Sequence, residues 1–116
     1  MSSEDFGLTE QQAGWRVHGN MSLEQILKLS YQLIEFVGMT PDGQAIVDRY
    51  PKGGKGGKGW QVYQPLFESW LIISTWPAFN FVRVNLSSCK AFDPSAVGAY
   101  LAGEVGPILQ EWSSPL

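Results

Sequence analysis

The sequence predicts a small α/β protein, a two-layer sandwich in which an antiparallel sheet carries two helices on one face. Three observations predict it. A capped amphipathic helix spans residues 22–37, strand-like apolar runs follow one another through turn-rich links, and Asp93-Pro94 opens a second helix.

Residues up to about 12 are polar and are expected to form a loose, flexible segment, which leaves 13–116 as a single domain. Trp15-Arg16-Val17-His18-Gly19 alternates weakly, as a short strand does. Ser22-Leu23-Glu24-Gln25 is a capping box, in which the Ser22 hydroxyl and the Gln25 side chain each satisfy the other's backbone amide. Ile26, Leu29, Leu33 and Phe36 then recur at helical spacing, Ile34 and Val37 widen the apolar face, and Gly38 stops the helix. Thr40-Pro41-Asp42-Gly43 has turn chemistry, and Ala45 to Tyr50 reads as a strand halted by Pro51. Trp60 to Phe67 is a further strand, in which Pro65 implies an irregularity or an edge position. Leu71-Ile72-Ile73 is apolar, with β-branched Ile72 and Ile73, and buried in character. From Phe79 to Leu86, Val82, Val84 and Leu86 fall on one face and Phe81, Arg83 and Asn85 on the other. Asp93 is an N-cap with proline at the first helical position, and Pro107 ends or kinks the helix that follows. The expected order is β-α-β-β-β-α.

At 116 residues the chain buries one core. Five Trp, four Tyr and six Phe are many for this size, and most are assigned to core filling. A net charge of −3 gives no reason to expect nucleic acid as a partner. One cysteine excludes an internal disulfide and a multi-cysteine zinc site. An acidic N-terminus without a signal-peptide pattern, and no membrane-length apolar run, complete a cytoplasmic reading.

Two features catch the eye and yield to plainer readings. Lys52-Gly53-Gly54-Lys55-Gly56-Gly57-Lys58-Gly59 has lysines and glycines suited to phosphate, but no glycine lies five residues before a Gly-Lys pair. Gly59 also stands where a Ser or Thr would hold Mg²⁺, so a mobile basic hairpin loop is the better reading. His18 is the only histidine, and nothing near it has the spacing of a metal site or a triad; no metal is expected.

The informative stretch is Glu68-Ser69-Trp70-Leu71-Ile72-Ile73-Ser74-Thr75-Trp76-Pro77, with Cys89 twenty positions after Ser69. It resembles the pyruvoyl-dependent bacterial S-adenosylmethionine decarboxylases, whose segment reads roughly Glu-Ser-His-x-x-Ile-His-Thr-Trp-Pro-Glu, with a cysteine at the end of the next strand. The resemblance runs from near Trp15 through the first helix to Asp93-Pro94-Ser95-Ala96. It implies Ser69 as the pyruvoyl precursor, Glu68 as the residue left at the cleaved end, and Cys89 as proton donor. The plain alternative is a strand serine and a small buried thiol.

The departures fall on the chemistry. Trp70 and Ser74 replace the two histidines, and Ala78 replaces the second glutamate. Self-processing in that family needs a base for the α-proton of the ester, and a serine hydroxyl is far too weak. No Ser or Thr occurs from Pro51 to Glu68 to assist. The family's last strand is also expected to be missing after the second helix. The leading expectation is therefore a degenerate, unprocessed member, with no cofactor, that binds a small cationic or nucleoside ligand or a protein partner. The rivals are a working pyruvoyl decarboxylase of S-adenosylmethionine or another amino acid in polyamine biosynthesis, and a pure interaction module using Trp60, Trp70 and Trp76.

The resemblance implies a homodimer with facing sheets. A ligand such as S-adenosylmethionine or a polyamine is expected between Ser69, Cys89 and the Lys52–Gly59 loop. Trp60, Phe67, Trp70, Ser74, Lys55 and Lys58 form the candidate binding set, because aromatic faces hold a sulfonium by cation–π attraction. Trp70 itself is expected to pack in the core.

Overall fold

The computed structural model describes residues 10–50 and 58–114. Strand β1 (Gln11–His18) leads into helix α1 (Leu23–Phe36), then β2 (Ile46–Tyr50), β3 (Gly59–Leu66), β4 (Ser69–Trp76), β5 (Phe81–Ser88), helix α2 (Pro94–Glu104) and β6 (Ile108–Ser114). All six strands form one sheet in the order β2-β3-β4-β5-β1-β6, and every neighbouring pair is antiparallel. The antiparallel two-layer architecture is the expected one. Among the described residues no helix is long and apolar enough to cross a membrane.

Three expectations need correction. Leu71-Ile72-Ile73 is the middle of a full strand, so four strands, not three, separate the helices. A last strand does follow α2. It was illegible because Ile108-Leu109-Gln110-Glu111-Trp112-Ser113-Ser114 is mostly exposed and lacks a period-two pattern, as an edge strand can. Finally, β1 begins at Gln11, so Gln11 and Gln12 are paired residues rather than part of a loose segment. The remainder of that segment, residues 1–9, lies outside the described residues, as do 51–57 of the lysine-glycine loop.

The helices form for the local reasons anticipated. Both halves of the capping box are made, Ser22 Oγ accepting from Gln25 N at 3.2 Å and Gln25 Oε1 from Ser22 N at 2.8 Å. Gly38 takes φ +70°, the left-handed turn that closes α1. Lys90 Nζ donates to its carbonyl at 2.6 Å, which ties the loop after β5 to this helix end. Asp93 caps α2 through Ser95 N at 3.0 Å.

Strand alternation sends one set of side chains to the helices. Val62, Ile73, Val84 and Trp15 are in register across β3, β4, β5 and β1, and all are buried. They meet Ile26, Leu29 and Leu33 of α1 and Val97 and Leu101 of α2 in one core. Each fully buried aliphatic there contributes about 1.5–3 kcal/mol. A Cβ on Gly98 of α2 would lie 2.9 Å from Glu111 Oε2 and 3.3 Å from Trp15 Nε1, so this glycine lets α2 approach the buried indole. Pro65 lies beyond the last β2–β3 pair, Ile46–Tyr63, where the Thr40–Asp42 segment takes over beside β3: Pro41 bridges Leu66 and Asp42 N donates to the Pro65 carbonyl at 2.9 Å.

Where the helices meet, Phe36 and Tyr100 stack with centroids 4.6 Å apart. Desolvation first, then Glu104 and Glu35, holds the Tyr100 phenol above its ordinary value of 10.0. The folded state thus keeps a proton that the unfolded chain releases, so stability declines as pH rises through and beyond about 10. Alkaline thermal melts should show this loss in the wild type and a smaller one in Tyr100→Phe.

Candidate functional site

Glu68 and Ser69 lie where β3 turns into β4. Phe67 and Glu68 form the turn, pinned from both sides: Phe67 N donates to Thr40 O at 3.0 Å, and Thr40 N donates to Glu68 Oε1 at 3.0 Å. Across the strand ends, Cys89 N donates to Glu68 O at 2.8 Å. Ser69 opens β4 opposite Ser88 of β5. Its hydroxyl donates to Ser87 Oγ at 3.2 Å, and Ser87 Oγ donates to Glu10 Oε1 at 3.1 Å. Glu10, Phe67, Glu68, Ser69 and Cys89 line a cleft of about 260 Å³, and Cys89 is exposed in it.

The structure therefore brings together Glu68, Ser69, Cys89 and Phe67. It also adds Glu10 and Ser87, which sequence reasoning missed. Ser87-Ser88, a polar pair closing an apolar strand just before Cys89, was the available signal for one of them. Glu10 had none, because it reaches Ser87 over 77 positions.

The chemical capacity of this arrangement is specific. The Glu68 carbonyl, which Ser69 would attack, already accepts a backbone hydrogen bond, the kind of donor that stabilises a developing oxyanion. The hydroxyl chain leads from Ser69 toward a carboxylate, a path for the proton that attack would release. What the site lacks is an imidazole. His18 ends β1 opposite Phe81, seven residues along β5 from Ser88, or about 23 Å. Among the described residues no group of three or more His, Cys, Asp or Glu side chains is placed to hold a metal.

The other nominated residues are elsewhere. By alternation Trp70 and Ser74 face away from the helices. Ser74 is buried, with its hydroxyl donating to Gln61 Oε1 at 3.2 Å. Trp70 is half-buried between Pro65 and Ser87 and is not in the core, which corrects the packing expected for it. Trp60 and Lys58 stand at the opposite end of β3, about 23 Å from Ser69. There they share a separate cleft with Asn20, Met21, Ser22, Gln25, Thr75 and Pro77. Trp60 N donates to Thr75 Oγ1 at 2.9 Å, and Arg49 lies over the Trp60 ring at 5.0 Å. Lys55 lies outside the described residues. The described end of the lysine-glycine loop is therefore not beside Ser69 and Cys89, because β3 separates them along its length.

The position of Trp70 sets its energetic weight. Trp70→Ala should cost about 1–2 kcal/mol in chemical denaturation, below the 3–5 kcal/mol of a core tryptophan.

Comparison with known proteins finds no match among protein-family models and none among curated proteins. Among solved structures, the fold is similar to that of the adenosylmethionine decarboxylase from Aquifex aeolicus VF5, with a TM-score of 0.68. The two share 16% identity over 92% of this chain and 88% of that one.

Proposed function

We propose that this protein is an S-adenosylmethionine decarboxylase-like protein that does not process itself and acts by binding a small ligand or a protein partner. Its fold is that of an S-adenosylmethionine decarboxylase-like protein. The observation that carries the proposal is the site's missing base. Ser74, which occupies the position of the processing histidine in the resembled family, lies five residues along β4 from Ser69, or about 17 Å, with its hydroxyl bonded to Gln61, and the only imidazole is about 23 Å away. Formation of a pyruvoyl group requires removal of the Ser69 α-proton, and among the described residues no imidazole is placed for it. On this reading the protein carries no pyruvoyl cofactor.

A cationic ligand would enter the cleft between Glu10 and Glu68, with the exposed Phe67 ring as a face for a sulfonium or ammonium. The resembled family also suggests a homodimer.

A second reading, a working pyruvoyl-dependent decarboxylase with Ser69 as its source of pyruvoyl, is favoured by one observation. The Cys89 amide on the Glu68 carbonyl and the Ser69–Ser87–Glu10 chain suit the first step of self-cleavage.

Intact mass spectrometry of the purified chain separates the two. A single polypeptide is the expected result. Fragments divided between Glu68 and Ser69, the second beginning with a pyruvoyl group, would overturn the leading proposal. Calorimetry with S-adenosylmethionine and spermidine then tests the ligand; an absence of heat at about 1 mM, where a weak site would register, would turn the proposal to a protein partner.

A further inference from the structure

On the sheet face without helices, Arg16 of β1 and Arg83 of β5 stand directly opposite one another. Like charges in that arrangement repel, and sheets ordinarily pair such a position with an acid. Here, among the described residues, no carboxylate lies within ion-pair distance of either guanidinium. Each lies over a ring instead. Arg16 Cζ is 5.5 Å from the Phe81 centroid and Arg83 Cζ is 5.0 Å from that of Trp76. The two rings stack on each other at 5.0 Å, so both guanidinium groups rest on one aromatic platform. Arg83 Nε is buried and has no hydrogen-bond partner.

A cleft of about 230 Å³ opens beside this pair, lined by Trp15, Arg16, Arg83, Asn85, Gln110 and Trp112. Gly14 lies in register with Asn85 on one side and Trp112 on the other. A Cβ on Gly14 would come within 2.6 Å of Asn85 Oδ1 and closer still to the indole nitrogen of Trp112. Glycine is therefore what allows the Trp112 indole to lie across β1. That indole is 46% exposed. The side-chain amides of Asn85 and Gln110 make no hydrogen bond among the described residues.

We propose that this cleft binds a small oxyanion, a carboxylate or phosphate monoester, carried on a single planar ring. A guanidinium that lies face-on to an aromatic ring keeps its in-plane N–H groups free, and these are the donors that grip an oxyanion in pairs. Arg16 and Arg83 take the anionic oxygens with their terminal N–H groups, which removes their mutual repulsion. Trp112 offers its face to the ring, and Asn85 and Gln110 take polar substituents. The volume is below the range of drug-sized pockets, so one ring with its anion is the fitting size. The site is separate from the Ser69 cleft. Arg83 pairs with Ser74, five residues along β4 from Ser69 or about 17 Å. It stands whether or not Ser69 is processed.

Calorimetry on the full chain with phenyl phosphate, benzoate, inorganic phosphate and neutral benzyl alcohol tests this. Saturable binding of at least one ring-bearing anion is expected, and the tighter of the two identifies the anionic group. Arg83→Gln and Arg16→Gln should each weaken it by about tenfold or more, and Trp112→Leu should erase the advantage of a ring over inorganic phosphate. Thermal melts at low salt provide a readout independent of heat. Both arginine variants should unfold no earlier than the wild type, since repulsion is relieved, while the anion should raise the wild-type midpoint more than theirs. No saturable binding by any probe, equal affinity in the wild type and both arginine variants, or benzyl alcohol binding as tightly as the anions would each overturn the proposal. Inorganic phosphate binding as tightly as phenyl phosphate would overturn the role of Trp112.

Discussion

Strand parity is the constraint on which the rest of this molecule depends. Val62, Ile73, Val84 and Trp15 lie side by side across four strands, and each is buried beneath the helices. A one-residue slip in any pairing would put that strand's apolar set into water and its polar set under the helices. The same register therefore dictates the opposite face. Asp48, Gln61, Ser74, Arg83, Arg16 and Gln110 form an unbroken polar row across all six strands. The acid stands at one edge and the two arginines near the other, so the row is polarised, and the arginines meet for want of any alternative position. Stacking on Trp76 and Phe81 makes that meeting tolerable.

The insertion of β1 between β5 and β6 is the second device, because it ties distant parts of the chain to the site. Gln11 is opposite Ser88, and its side-chain amide donates to Phe92 O at 3.0 Å and accepts from Phe92 N at 3.2 Å. This clamp holds the segment after Cys89. Thr40, from the connection after α1, holds Glu68 from the other side. Cys89 N–H then joins the two strand ends at the Glu68 carbonyl. The Glu68–Ser69 peptide, the Ser69 hydroxyl and the Cys89 thiol are thus held together by backbone and side-chain bonds from three separate segments. The geometry of the peptide and the hydroxyl chain is set by this register, and so is the separation from His18, which pairs with Phe81 at the far end of β5.

How much of this was legible in the sequence differs by the range of the interaction involved. The capping box at Ser22, the stop at Gly38 and the Asp93-Pro94 helix start were readable because each is completed within a few residues. The alternation from Phe81 to Leu86 was readable because burial on one face imposes a period of two. β6 was not, since an exposed edge strand is under no such demand and is held by backbone bonds to β1. The proximity of Glu68, Ser69 and Cys89 was anticipated from a resemblance rather than from spacing.

By itself, then, the sequence determined the helices, most strands, the single buried face and the residue types available for chemistry, because local bonding and hydrophobic periodicity act along the chain. Only the tertiary structure decided which of those residues meet. Glu10 reaches Ser87, Trp60 and Lys58 part from Ser69 by the length of a strand, and Arg16 faces Arg83, because antiparallel pairing sets distance by register rather than by position in the chain.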